Sequence, residues 1–190
     1  MKVTLFIFTM FMSSILFSQN EGDKIPYYEI PDYSESYTAG TVAARQIDGL
    51  GFRFYWASEG LTEKDLAFKP NDSVRTTGET IDHIYDLSKI IVNATLKKPN
   101  SRGEEDHLTI EAKRKQTLIN LKRAADILRV SEDLSQFKII FGEREIPFWN
   151  NINGPIADAI WHSGQIASFR RTTGNPINPN ISHFNGTVKK

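Results

Sequence analysis

EEDHLTIEAKRKQTLINLKRAADILRV, residues 104–130, places Leu118, Leu121, Ala125 and Leu128 at spacings of three and four, with Lys, Arg and Glu filling most of the rest. An α-helix turns once in 3.6 residues, so this spacing makes one apolar stripe and one solvated face. It is the clearest helix in the chain, predicted from about Glu104 to Val130. Upstream, Ile47, Leu50, Phe54, Ala57 and Leu61 give the same period over Thr41 to Leu61, where Gly49 and Gly51 are expected to weaken the helix. A further helix is predicted over about Gly78 to Leu96, preceded by the capping candidates of Ser73 to Glu79 and ended by Lys98-Pro99-Asn100 and Gly103. Downstream, Gly154-Pro155 reads as the start of a fourth helix, with Asn153 as its cap, stopping before Gly174. Four such helices with short and medium connections predict an all-α fold, a four-helix bundle over residues 41–174.

The connections fit that plan. Residues 19–40 hold Pro26, Pro31 and several tyrosines without helical period and read as an extended arm. Lys69-Pro70-Asn71-Asp72 reads as a loop. Phe137 to Phe141 and Ile146 to Trp149 flank Gly142, which predicts a short apolar hairpin or loop before the fourth helix. Residues 175–190, rich in Asn and Pro, read as a tail along the outside. Arg170 and Arg171 fall in the last turn of the fourth helix, where they favour the negative end of its dipole and read as surface charges rather than an anion site.

At the other end of the chain, Met1-Lys2 precedes an apolar run, Val3 to Phe17, interrupted by Thr9, Ser13 and Ser14 and followed by Ser18-Gln19-Asn20. The run falls short of the roughly 20 apolar residues that span a bilayer, so residues 1–18 read as a signal peptide cut near Ser18. Leu16, a poor residue three positions before the cut, leaves an uncleaved amphipathic anchor as the alternative. With cleavage the protein is exported, periplasmic or extracellular, and has no stable membrane anchor. There is no cysteine, which excludes disulfides, thiolate ligands and lipid attachment through an N-terminal Cys. Lys plus Arg and Asp plus Glu number 23 each, and losing Lys2 leaves a formal charge of about −1. Without a basic excess, nucleic acid is excluded as an expected partner. A small-molecule substrate and a homodimer stay open. Asn-x-Ser/Thr sequons begin at Asn71, Asn93, Asn180 and Asn185 and matter only in a host that glycosylates exported proteins.

Of the four histidines, His83, His107, His162 and His183, two stand where a bundle builds a site. On a helical wheel Asp158 and His162, four residues apart, share the edge of the apolar arc of Ile152, Ile156, Ala159, Ile160, Ile166 and Ala167. His83 lies at the edge of the arc of Ile81, Ile84 and Ile91. One divalent metal ion would satisfy all three side chains, since neutral imidazole and carboxylate suit zinc, iron, nickel or manganese. An Asp–His pair at this spacing is also a common surface ion pair. His107 reads as a surface residue and His183 has no partner pattern. Glu79 and Asp82 could accept from the His83 ring or simply charge a helix start. Gln165 could orient a bound water, and Arg53 and Tyr55 could face the open side of the metal or belong to a packed aromatic segment.

Gly78-Glu79-Thr80-Ile81-Asp82-His83-Ile84 at the start of the second helix, with Asp158-Ala159-Ile160-Trp161-His162-Ser163-Gly164-Gln165 in the fourth, resembles the DinB-like (YfiT-like) metalloenzyme family over roughly residues 41–171. The resemblance implies a four-helix bundle whose metal is held by one His of the second helix and two ligands spaced by four in the fourth. Carried over, these are His83, Asp158 and His162. The chain departs from the family's usual pattern in having Asp158 where a third histidine stands. A carboxylate hardens the site and favours iron or manganese over zinc. Some members resemble thiol-dependent transferases and others hydrolases, so the resemblance implies a metal-dependent hydrolase or transferase acting on a small exported substrate. A non-catalytic metal- or ligand-binding bundle is the alternative. An iron oxygenase shares the ligand types but lacks its β-rich scaffold here.

Overall fold

The structure is a computed structural model and describes residues 24–101 and 107–189. The signal-peptide reading of residues 1–18 lies outside the described residues. The chain is mostly helical. Four long helices, α1 (Ala39–Ser58), α3 (Thr77–Thr95), α4 (Ile110–Arg129) and α6 (Ala157–Thr172), carry the core, with a short α2 (Glu63–Ala67) between the first two. In the packing, α1 touches α4 and α6, and α3 touches the same two. Their facing stripes meet in one core: Ile47, Leu50 and Phe54, Ile81, Ile84 and Ile91, Leu118, Leu121 and Leu128, and Ile156 and Ile166 are all buried. No described helix is long and apolar enough to cross a membrane.

The helix starts have a common cause. Thr38, Thr62, Thr76 and Thr109 each stand just before α1, α2, α3 and α4 in extended conformation, and each side chain accepts a hydrogen bond from a first-turn amide. That satisfies one of the amides a helix start leaves without a partner. In α1, α2 and α3 the third helical residue, Thr41, Asp65 or Glu79, also accepts from the cap's own amide, completing a capping box. The Thr62–Asp65 box makes a helix of a stretch too short to show a period. Thr109 starts α4 at Ile110, whereas the sequence predicts a start near Glu104; residues 107–109 are not helical, and residues 102–106 lie outside the described region.

Between α4 and α6, β1 (Lys138–Phe141) and β2 (Arg144–Pro147) pair antiparallel around Gly142. One short turn, α5 (Trp149–Asn151), then leads through a π turn, Ile152–Ile156, directly into α6. Gly154 has non-helical torsions (φ −99°, ψ −106°) and Pro155 follows, so the chain kinks there, where Pro brings no amide to the ladder. The predicted start at Gly154-Pro155 capped by Asn153 is therefore corrected. Helical backbone already runs into this point, and no side chain caps α6.

The arm and tail close over α1. Tyr27 is buried and donates from its hydroxyl to Asp48 Oδ1 (3.2 Å), while Arg129 of α4 donates to Asp48 Oδ2 (2.8 Å). Burial raises the Asp48 carboxyl above its ordinary range despite the opposing pull of Arg129 and Tyr27. Gly51, read from sequence as a weakness, is the seat of this contact: a Cβ there would lie 2.4 Å from the Tyr27 ring. Farther out, β3 (Ile181–Ser182) and β4 (Thr187–Val188) form a small antiparallel pair in the tail. The tail is tied to the arm by Ile30 N–H donating to Gly186 O (2.9 Å) and Val188 N–H donating to Glu29 Oε1 (2.9 Å).

Arg170 corrects the sequence reading most sharply. It is 4% exposed. Its guanidinium donates to Trp56 O (3.0 Å), Ala57 O (3.1 Å) and Glu59 O (2.8 Å), and to Asn175 O (2.6 Å) and Asn175 Oδ1 (3.1 Å). The carbonyls of Trp56, Ala57 and Glu59 are ones that the end of α1 leaves open, and α1 has no basic residue of its own in its last turn. Arg170 thus caps a neighbouring helix, while Arg171 is exposed.

Candidate metal centre

His83 lies in the second turn of α3, and Asp158 and His162 lie one turn apart in α6, the helix packed beside it. His83 Nε2 is 3.0 Å from Asp158 Oδ2, and His162 Nε2 is 3.4 Å from Asp158 Oδ1. The two imidazoles meet edge to face, their centroids 4.8 Å apart and their planes at 88°. One donor atom from each of the three residues lies within 4.8 Å of the others. Among the described residues this is the one group of three His, Cys, Asp or Glu side chains so disposed.

The donor set fits a divalent ion. Metal–nitrogen and metal–oxygen bonds of 2.0–2.2 Å put two ligands on a tetrahedral ion about 3.3 Å apart. The two Asp158–imidazole separations, made to different carboxylate oxygens, are close to that spacing, while the set of three donor atoms spans up to 4.8 Å. Access fits as well: the side chains of His83, His162 and Asp158 are 26%, 17% and 45% exposed, so the cluster opens to solvent on one side. Two imidazoles and a carboxylate occupy three positions and leave at least one for another ligand.

His162 Nδ1 is 2.8 Å from Gln165 Oε1. A ring proton on Nδ1 would donate to that carboxamide oxygen and leave the Nε2 lone pair facing Asp158. In that form a lone pair and a carboxylate oxygen face each other at 3.4 Å, an arrangement that a cation or a second ring proton relieves. From sequence, Gln165 reads as a residue that could orient a bound water. The signal for its contact with His162 is their spacing of three, which puts both on one helix face.

The other sequence candidates lie elsewhere. Glu79 completes the Thr76 capping box, and the hydrogen bonds from Thr76 lower its carboxyl. Asp82 accepts from Lys113 Nζ (2.9 Å) of α4. Tyr55 packs edge-on against Tyr28 and Trp56, beneath the Arg114 guanidinium. Arg53 donates back to Gly49 O (2.9 Å) and lines a cavity with Ile160, Gly164, Ala167 and His183, on a different face of α6 from Asp158 and His162. Burial and then the Arg53 charge lower the His183 imidazole. His107 is exposed. None of these reaches the metal cluster. No protein-family profile, curated protein or solved structure matches the chain.

Proposed function

We propose that this chain is an exported, DinB-like, divalent-metal-dependent hydrolase or thiol-dependent transferase acting on a small substrate, with His83, Asp158 and His162 as the metal ligands. The convergence of two imidazole nitrogens on the two oxygens of one carboxylate, across two helices, carries this reading. The resemblance of the two motifs to the DinB-like family and the open side of the cluster support it. A divalent ion held there would supply Lewis-acid polarisation, acidifying a bound water toward a pKa of about 7 for hydrolysis or deprotonating a bound thiol for transfer. The chain's own part is positional. α3 and α6 hold the rings from opposite sides, and the Asp158 carboxylate neutralises part of the ion's charge. The carboxylate favours iron or manganese among the candidate metals.

The test is metal binding by single variants. The parent should hold one equivalent of manganese or zinc. Asp158→Ala, His83→Ala and His162→Ala should each lose most of that affinity. Asp158→His, projecting from the same helix face, should keep one metal per chain and move the preference toward zinc. If Asp158→Ala binds as tightly as the parent, Asp158 is an ion-pair partner and the ligand set is wrong. Export is tested by mass spectrometry of the mature protein, with an N-terminus near Gln19 expected and an intact Met1 counting against it.

A further inference from the structure

We propose that Gln165 is a positioning residue that fixes His162 in its Nδ1–H tautomer, so that Nε2 is the ligating atom; this rests on the metal-binding reading above and extends it. A neutral imidazole carries one proton on either nitrogen, and only the bare nitrogen can bind an ion. Left to itself the ring samples both tautomers and rotates about χ2. At His162 the choice is made by Gln165, whose Oε1 lies 2.8 Å from Nδ1 on the same face of α6. The opposite nitrogen is the one that faces Asp158, at 3.4 Å from Oδ1.

The surroundings hold Gln165 to this role. It is half-buried, and its neighbour Ile166 is fully buried in the core, which anchors that turn of α6. His83 comes edge-on against the His162 ring, and turning the ring over would remove the Gln165 contact. Metal-bound histidines depend on such an acceptor for orientation and basicity, and its loss typically costs 10–100-fold in affinity.

Two measurements on the full chain test the idea. Zinc titration should show Gln165→Leu binding about 10–100-fold more weakly than the parent. Gln165→Glu, which keeps an acceptor of the same length, should bind at least as tightly as the parent. A residue that merely filled space would not separate the two variants in this way. Long-range proton–nitrogen NMR of the metal-free protein at about pH 8.5, above the ordinary imidazole range, should show the His162 proton on Nδ1, with assignment by His162→Gln. A proton on Nε2, or Gln165→Leu binding zinc like the parent, overturns the proposal. If the parent binds no zinc or manganese while His162 still carries its proton on Nδ1, the metal-binding reading fails and the tautomer assignment stands.

Discussion

Replacing Arg170 with Met removes a buried cation while keeping much of its volume, and the structure fixes what is lost. Five hydrogen bonds go, three of them to the carbonyls of Trp56, Ala57 and Glu59 at the end of α1. A hydrogen bond to a charged group contributes about 1.5–3 kcal/mol. Against that sum stands the cost of taking the guanidinium out of water, which is several kcal/mol. The direction of the Arg170 shift agrees: burial lowers its pKa, and the charges of Asp65 and Glu59 oppose that. Breaking one side of a buried charged network costs about 3–5 kcal/mol. In a domain whose whole stability is about 5–15 kcal/mol, that is a large part of the total. Urea unfolding followed by far-ultraviolet circular dichroism should show the midpoint falling by about 2 M at unchanged slope. The melting temperature should fall by about 10 °C. Arg170→Lys should recover only part of the loss, because the three α1 carbonyls accept from the single atom Nη1, which an ammonium can replace, but the Nε and Nη2 bonds to Asn175 are gone. Arg171→Met, at an exposed position, should stay within about 0.5 kcal/mol of the parent. An Arg170→Met protein within about 1 kcal/mol of the parent would show that water satisfies these carbonyls equally well and refute the capping role.

Burial pushes the Asp65 carboxyl up, but hydrogen bonds from Thr173, Asn175 and Thr62 outweigh it and hold the group well below the usual carboxylate range. A depressed folded pKa stabilises fully above the ordinary aspartate value, about 4, and that contribution drains as pH falls below it. Asp65→Asn should therefore cost stability at pH 7 and flatten the acid limb below about pH 4, as read by melting temperature against pH. Gly51→Ala should drive the Tyr27 ring off its seat and cost about 1–3 kcal/mol by overpacking, with faster proteolysis of the arm; parent-like proteolysis would mean the arm docks without Tyr27. A chelator should abolish activity while the far-ultraviolet spectrum stays helical, because the core of Leu118, Leu121 and Ile84 is held by apolar contacts rather than by the three ligand side chains; unfolding on chelation would make the metal structural.

The long helices are legible in the sequence because their stripes are local. Leu118, Leu121, Ala125 and Leu128 each face the core for a reason contained in a few turns of chain. The candidate site is legible to the same degree, since Asp158 and His162 are one turn apart and His83 needs only a neighbouring helix. What escapes is set by distant partners. Nothing near Arg170 says that its guanidinium meets the end of α1. Gly51 looks like a weak point until Tyr27 is seen to lie against it. Glycine followed by proline reads as a beginning because both suit one, but here the preceding backbone is already helical. Gln165 falls between these cases, with its spacing local and its acceptor role visible only from the ring geometry.

The π turn at Ile152–Ile156 works as a phase shifter. A turn that closes over five residues carries one more than an α turn, and each residue of an α-helix advances the direction of its side chain by about 100°. Everything in α6 inherits that offset together, Ala159, Ser163, Ile166 and Arg170 on the core side and Asp158, His162 and Gln165 on the cluster side. The two faces are therefore geared to one another. A one-residue deletion in this short stretch would swing the core contacts and the cluster by the same angle, so neither can be retuned there without the other. Drift in length is better tolerated before Trp149, where the hairpin and its turn can take up slack without turning the helix.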